Sequence, residues 1–175
     1  VVVTGMGCIT PLGPSVDETW AAAIEGRSGV RLVDRFETDG YGCRIAAPSI
    51  DRLEPPELSA KELRRTDRSI LLALLASREA ILQSGLEIDD SNRDRIGVAI
   101  GSGIGPVEQI IIGTGILRDK GPRRVPPYTI PLGISSMPTG LVSIHNGLRG
   151  PSLCHVSACA SSGHSVGESA KLIER

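Results

Sequence analysis

Val156-Ser-Ala-Cys159-Ala-Ser-Ser-Gly163 is the stretch that decides how this chain folds. Pro151 to Ser157 is a short apolar run that reads as a strand, and the residues after Cys159 are small and compatible with a helix. That order predicts a thiol at a sharp strand-to-helix turn. The first N–H groups of a helix lack intrahelical acceptors, and the helix dipole favours negative charge beside them. A thiol placed there ionises below its free value of about 8.5. The same donors would face the oxygen of an attacked thioester as it becomes negative. The expected chemistry is acylation of Cys159. A cysteine near a helix start is more often a small, inert, buried residue, so the neighbourhood has to carry the argument. Ala158, Ala160, Ser161, Ser162 and Gly163 leave space around the sulfur, and Ser165, Gly167, Ser169 and Ala170 continue the small run. A helix this thin is expected to be central and buried on both sides, with the thiol at its mouth.

Working outward, the pattern upstream alternates strands and helices. A Pro-rich crossing (Pro122, Pro126, Pro127, Pro131) leads into a predicted helix from Ser136 to Asn146, closed by Gly147. Ile96 to Ile100 is a continuous apolar strand, followed by Gly101-Ser-Gly-Ile-Gly105 and a helix over Val107 to Arg118 that Gly113, Thr114 and Gly115 weaken. After Thr66-Asp67, the spacing of Ile70, Leu71, Leu74, Leu75, Ala80 and Ile81 is helical, ending at Gly85. Ser15-Val-Asp-Glu18 and Ser59-Ala-Lys-Glu62 are capping-box patterns. The first opens a helix through Trp20 to Glu25. Gly29 to Glu57, rich in Gly, Pro and Asp, reads as a surface excursion with a hairpin strand at Cys43 to Ala47. Val1 to Thr4 reads as a buried strand. The Gly5-Met-Gly7 after it does not support dinucleotide binding, because Thr10 and Pro11 stand where a third glycine and a helix are needed. Strands alternating with helices predict an α/β fold with a mainly parallel sheet covered by helices.

The composition excludes several classes. In 175 residues, 19 basic and 20 acidic side chains give no global attraction to nucleic acid or to an anionic membrane. With one Trp, two Tyr and one Phe, a base-stacking surface is not expected. Cys8, Cys43, Cys154 and Cys159 lack paired spacing and form no C-x-x-C, so free thiols of a reducing cytoplasm are expected rather than disulfides or zinc. The apolar runs are too short to span a bilayer.

Ser157-Ala-Cys159-Ala-Ser-Ser-Gly-His164 resembles the active-site segment of β-ketoacyl-[acyl-carrier-protein] synthases, with Ser157 where that family usually has Thr and Ser162 where it usually has Gly. The resemblance runs in register through Val1-Val-Val-Thr-Gly-Met-Gly7, Arg64-Arg-Thr-Asp-Arg68, Gly101-Ser-Gly-Ile-Gly105, Gly121-Pro-Arg-Arg124 and Gly147-Leu-Arg-Gly-Pro151. It is nearest to the fatty-acid elongation type, synthase II. It implies a thiolase-like fold, of which these residues form most of the first half, and Cys159 as the acylated nucleophile. It also implies that two catalytic histidines and a lysine lie outside this sequence.

Lys61, Arg64 and Arg65, spaced i, i+3, i+4, are expected to share one helix face, and Arg123 and Arg124 form a second basic pair. The resemblance makes both groups a docking surface for acyl carrier protein. It makes Ile104 a gate of the acyl pocket, and Tyr128 and Thr129 pocket-lining residues in place of a usual Phe-Phe pair. No cofactor is implied, because phosphopantetheine arrives on the carrier; a homodimer is. His145, His155 and His164 receive no catalytic role. A polyketide ketosynthase would share these features, and a non-catalytic dimerisation partner would share the fold without needing the cysteine.

Overall fold

The computed structural model describes residues 1–175. Helix α1 (Val16–Ile24) is followed by a hairpin of β1 (Arg31–Leu32) and β2 (Ile45–Ala46). Then come α2 (Ala60–Leu63), α3 (Arg68–Ser84) and β3 (Val98–Gly101). Helices α4 (Val107–Lys120), α5 (Thr129–Gly133) and α6 (Met137–Asn146) lead to β4 (Ser152–His155) and α7 (Ser161–Glu174). β3 and β4 pair in parallel, with Val98 opposite Ser152 and Gly101 opposite His155.

Several helix ends fall where the sequence says. Ser15 accepts from the Glu18 N–H, Ser59 and Glu62 form a complete capping box, and Asp67 caps α3 through the Ser69 N–H. Gly85 and Gly147 close α3 and α6 in the left-handed conformation that glycine adopts without a Cβ clash. The core is small: Ile70 and Leu74 of α3 meet Val142 of α6, with Val98, Ile100, Leu132, Met137 and Leu141 at its margin. Adjacent strand residues point to opposite faces. Cys154 accordingly faces α6, its Sγ 3.1 Å from the Ser135 carbonyl, while His155 faces α7, its Nδ1 3.0 Å from Ser165 Oγ. The strand pair therefore lies between a helical layer containing α3 and α6 and the single helix α7. The Glu79 carboxylate accepts the N–H groups of Cys8 (2.9 Å) and Val16 (2.8 Å), tying the first residues and α1 to α3. Arg68 holds the 29–57 excursion, donating to Ser49 Oγ at 2.8 Å and to the Ile50 carbonyl.

Several expectations are corrected. Val1 to Thr4 forms no strand and is exposed: it pairs with neither of the two strand pairs. Gly5 and Gly7 are instead contact points with α3, where a Cβ would overlap the carbonyls of Ala80 and Ala76. Helix α4 runs unbroken through its glycines, since Gly113 is where Thr129 packs and a Cβ would overlap the Thr129 methyl. The parallel sheet holds only two strands. Within these residues α7 is covered on one face alone, as expected for a helix whose second cover lies in the other half of the fold: Ser161 and Ser165 are buried toward β3 and β4, while Val166 and Ile173 are exposed. No other element of these residues lies over that outer face.

Candidate active site

The C-terminal ends of β3 and β4 gather the site. β4 ends at His155, the chain turns through Val156 to Ala160, and α7 starts at Ser161 with Ala160 as its N-cap. Cys159 sits at this turn with its thiol free and exposed. Ala158, immediately before it, has φ +49° and is the only non-glycine residue with positive φ. For an L-residue that conformation is strained and needs support from its surroundings. The N–H groups of Cys159, Ser162 and Gly163 donate to no acceptor in the chain, whereas the Ala160 N–H is used by the Ser157 carbonyl (3.1 Å). Three unengaged donors thus lie at the head of a 14-residue helix, at the turn that carries Cys159.

The loop after β3 is the other wall. The Ser102 N–H donates to the His155 carbonyl (3.0 Å), continuing the strand pairing past its last residue. Gly101 has no room for a side chain: a Cβ would overlap the backbone of Ser161 and stand 2.5 Å from the Ser162 nitrogen. Ile104 follows in the same loop and is 73% exposed. The loop is pinned by Gly105 N–H to Ser102 Oγ (2.9 Å) and by Ser135 Oγ to the Ile104 carbonyl (3.1 Å).

The remaining sequence-predicted residues lie on the neighbouring edge. Helix α2 is only four residues long, so Lys61 lies on it, Arg64 caps it and Arg65 falls beyond it. The single three-charge helix face expected from the spacing is therefore not formed, because the Asp67 cap starts α3 before α2 can extend. All three side chains are exposed, as are Arg123 and Arg124 on the short turn before Val125. The Arg65 guanidinium lies 4.9 Å from the centroid of the Tyr128 ring, so the first basic stretch contacts the segment that follows the second. Thr129 is buried, its methyl against Gly113 of α4. Thr129→Phe is expected to overfill this contact and destabilise the protein by about 1–3 kcal/mol, read as a lower urea midpoint. An unchanged midpoint would show that the ring escapes the α4–α5 contact.

Two further titratable groups near the strand ends are engaged. His155 is engaged with Ser165, and burial pushes the Cys154 thiol above its ordinary range. A concavity between β3, Pro151 and the end of α7 lies at the opposite ends of the strands from Cys159. Neither the Ala158 strain nor the use of the Ser161 hydroxyl is visible in the spacing of the sequence.

The site is thus a free, exposed cysteine between a parallel strand and a helix N-terminus in an α/β protein. The chain belongs to the β-ketoacyl synthase family, whose N-terminal domain matches residues 1–175. It is 42% identical over 175 residues to 3-oxoacyl-[acyl-carrier-protein] synthase 2 of Staphylococcus aureus strain N315, covering all of this chain and 42% of that protein. Among solved structures it resembles a β-ketoacyl synthase from Burkholderia phymatum STM815, with TM-score 0.79 and 29% identity, over 99% of this chain and 43% of that one. The ishigamide ketosynthase/chain length factor shares the fold, with TM-score 0.82 and 24% identity, over 98% and 43%. The chain thus spans less than half the length of the relatives it matches, and its fold is that of the thiolase-like ketosynthases.

Proposed function

We propose that this chain supplies the nucleophile of a β-ketoacyl-[acyl-carrier-protein] synthase acting in fatty-acid elongation. The observation that carries the reading is Cys159, exposed beside three free N–H donors in a turn matching that family. The Cys159 thiolate attacks the carbonyl of an acyl thioester borne on acyl carrier protein. The tetrahedral oxyanion is met by backbone donors at the head of α7, and the carrier's phosphopantetheine thiol leaves. Malonyl carrier protein then loses carbon dioxide, and its carbanion attacks the acyl-Cys159 thioester. A carbon–carbon bond forms and the thiol is released. Stabilising that carbanion falls to the histidines that the family resemblance places outside residues 1–175. Thioester chemistry of this kind needs neither a metal nor an organic cofactor. The intact cysteine speaks against a purely structural partner.

The partner proposed is acyl carrier protein, received on the edge formed by Lys61, Arg64, Arg65, Arg123 and Arg124. Ile104, Tyr128 and Thr129 are proposed to shape the acyl pocket, and exposed Ile111 and Ile130 suit a homodimer. No helix is long and apolar enough to cross a membrane, and a cytoplasmic setting is proposed.

The test uses the full-length protein with acyl- and malonyl-carrier protein. Carbon dioxide and 3-oxoacyl product are expected in equal amounts; carbon dioxide without product would reduce the activity to decarboxylation. Reversing Lys61 and Arg64 to glutamate is expected to raise KM for carrier-bound substrate about tenfold at low salt, since complementary charge mainly speeds encounter. Small thioester analogues should be spared, and the defect should shrink as salt screens exposed charges. Equal losses on both substrate types would instead indicate misfolding.

A further inference from the structure

One buried side chain at the Cys159 turn has no part in the chemistry just described. Ser161 is 2% exposed. Its Oγ accepts the Ser157 N–H at 2.8 Å, and its single proton is within reach of the carbonyls of Ala158 (2.7 Å) and Ser102 (3.0 Å). These partners are the residue entering the turn, the strained residue itself, and the loop after β3. One hydroxyl therefore joins every segment that meets around Cys159.

We infer that Ser161 is a positioning residue: its hydroxyl holds Ala158 in the left-handed conformation and thereby fixes Cys159 against the head of α7 and the β3 loop. An alanine prefers negative φ, so Ala158 stays at +49° only while its surroundings compel it. The hydroxyl does so from both sides, accepting from the N–H just before Ala158 and donating to the Ala158 carbonyl. Close packing of Gly101 against the Ser161 backbone prevents α7 from retreating. Without the hydroxyl, the Ser157 N–H loses its acceptor and the Ala158 carbonyl keeps only the Ser161 N–H at 3.2 Å, so the turn relaxes and Cys159 shifts relative to the head of α7. The inference rests on Cys159 being the nucleophile, and it adds the residue that sets the nucleophile's geometry.

The test is alkylation by iodoacetamide in the full-length protein, resolved for each cysteine by mass spectrometry, beside steady-state condensation. Alkylation needs neither carrier nor malonyl group. Ser161→Ala is expected to slow modification of Cys159 about tenfold, the worth of one well-formed buried hydrogen bond. It should lower kcat with little change in KM for the carrier-bound substrate. Half-buried Cys154, on the other face of the strand, serves as an internal gauge of folding and should keep its rate. Ser161→Thr, which retains the hydroxyl, should restore most of the reactivity. In an Ala158→Gly background, loss of the hydroxyl should cost no more than about threefold, because glycine adopts positive φ freely and neighbouring effects are then non-additive.

Unchanged Cys159 alkylation in Ser161→Ala, equal losses in both backgrounds, or a parallel rise at Cys154 would each overturn the inference. If alkylation follows the expected pattern while Cys159 accepts no acyl group, the positioning role stands and the proposed function fails.

Discussion

Cys159→Ala in the full-length protein is expected to lower carbon–carbon bond formation by at least about a thousandfold, the scale on which removing a covalent nucleophile acts. The size of the effect follows from the absence of another thiol at the turn. Ser161 is buried and committed to its hydrogen bonds. Cys154 faces the other side of the strand, and its burial disfavours the thiolate. Cys8 lies 3.5 Å from the Thr19 hydroxyl in the first loop, and Cys43 sits in the exposed β1–β2 excursion. The measurement is turnover of carrier-bound substrates alongside the thermal midpoint of the variant. Retained turnover at an unaltered midpoint would remove Cys159 from the mechanism.

Gly101→Ala is expected to have the second-largest effect, and to act on stability and chemistry together. The added Cβ would meet backbone atoms of Ser161 and Ser162, not the flexible end of a side chain, so β3 and α7 must separate. Overpacking of this kind typically costs about 1–3 kcal/mol. The displacement falls on the helix head that presents Cys159, so alkylation of Cys159 should slow about tenfold or more, a factor that each 1.4 kcal/mol supplies. Urea unfolding and per-cysteine alkylation read the two consequences separately. Wild-type values for both would show that the strand end and the helix are farther apart than described.

What the sequence revealed, it revealed through local rules. The 3.6-residue spacing from Ile70 to Ile81, between an Asp67 cap and Gly85, is a self-contained helix signal, and α3 follows it. The apolar runs before Gly101 and Cys159 became the parallel pair, because both must be covered by helices. Cys159 stood out because small residues surround it. The features that escaped depend on contacts between distant residues. Val1 to Thr4 has strand propensity, but a strand exists only where another edge pairs with it. Lys61, Arg64 and Arg65 have the spacing of one helix face, yet α2 stops after four residues because a new cap begins at Asp67. The stacking of Arg65 on Tyr128 and the three partners of Ser161 join residues up to 63 positions apart, which no periodicity records. Ala158 was the least legible, since positive φ is ordinarily the province of glycine.

The central claim is that Cys159 carries the acyl group. Its most direct test is to incubate the full-length protein with acyl carrier protein bearing a labelled fatty acyl chain, digest it without reductant, and locate the label by peptide mass spectrometry. The account predicts one acyl group per chain, on the peptide containing Cys159, released by malonyl carrier protein as 3-oxoacyl product. A label on Cys8, Cys43 or Cys154, or no covalent acyl group in a protein that still condenses its substrates, would contradict it.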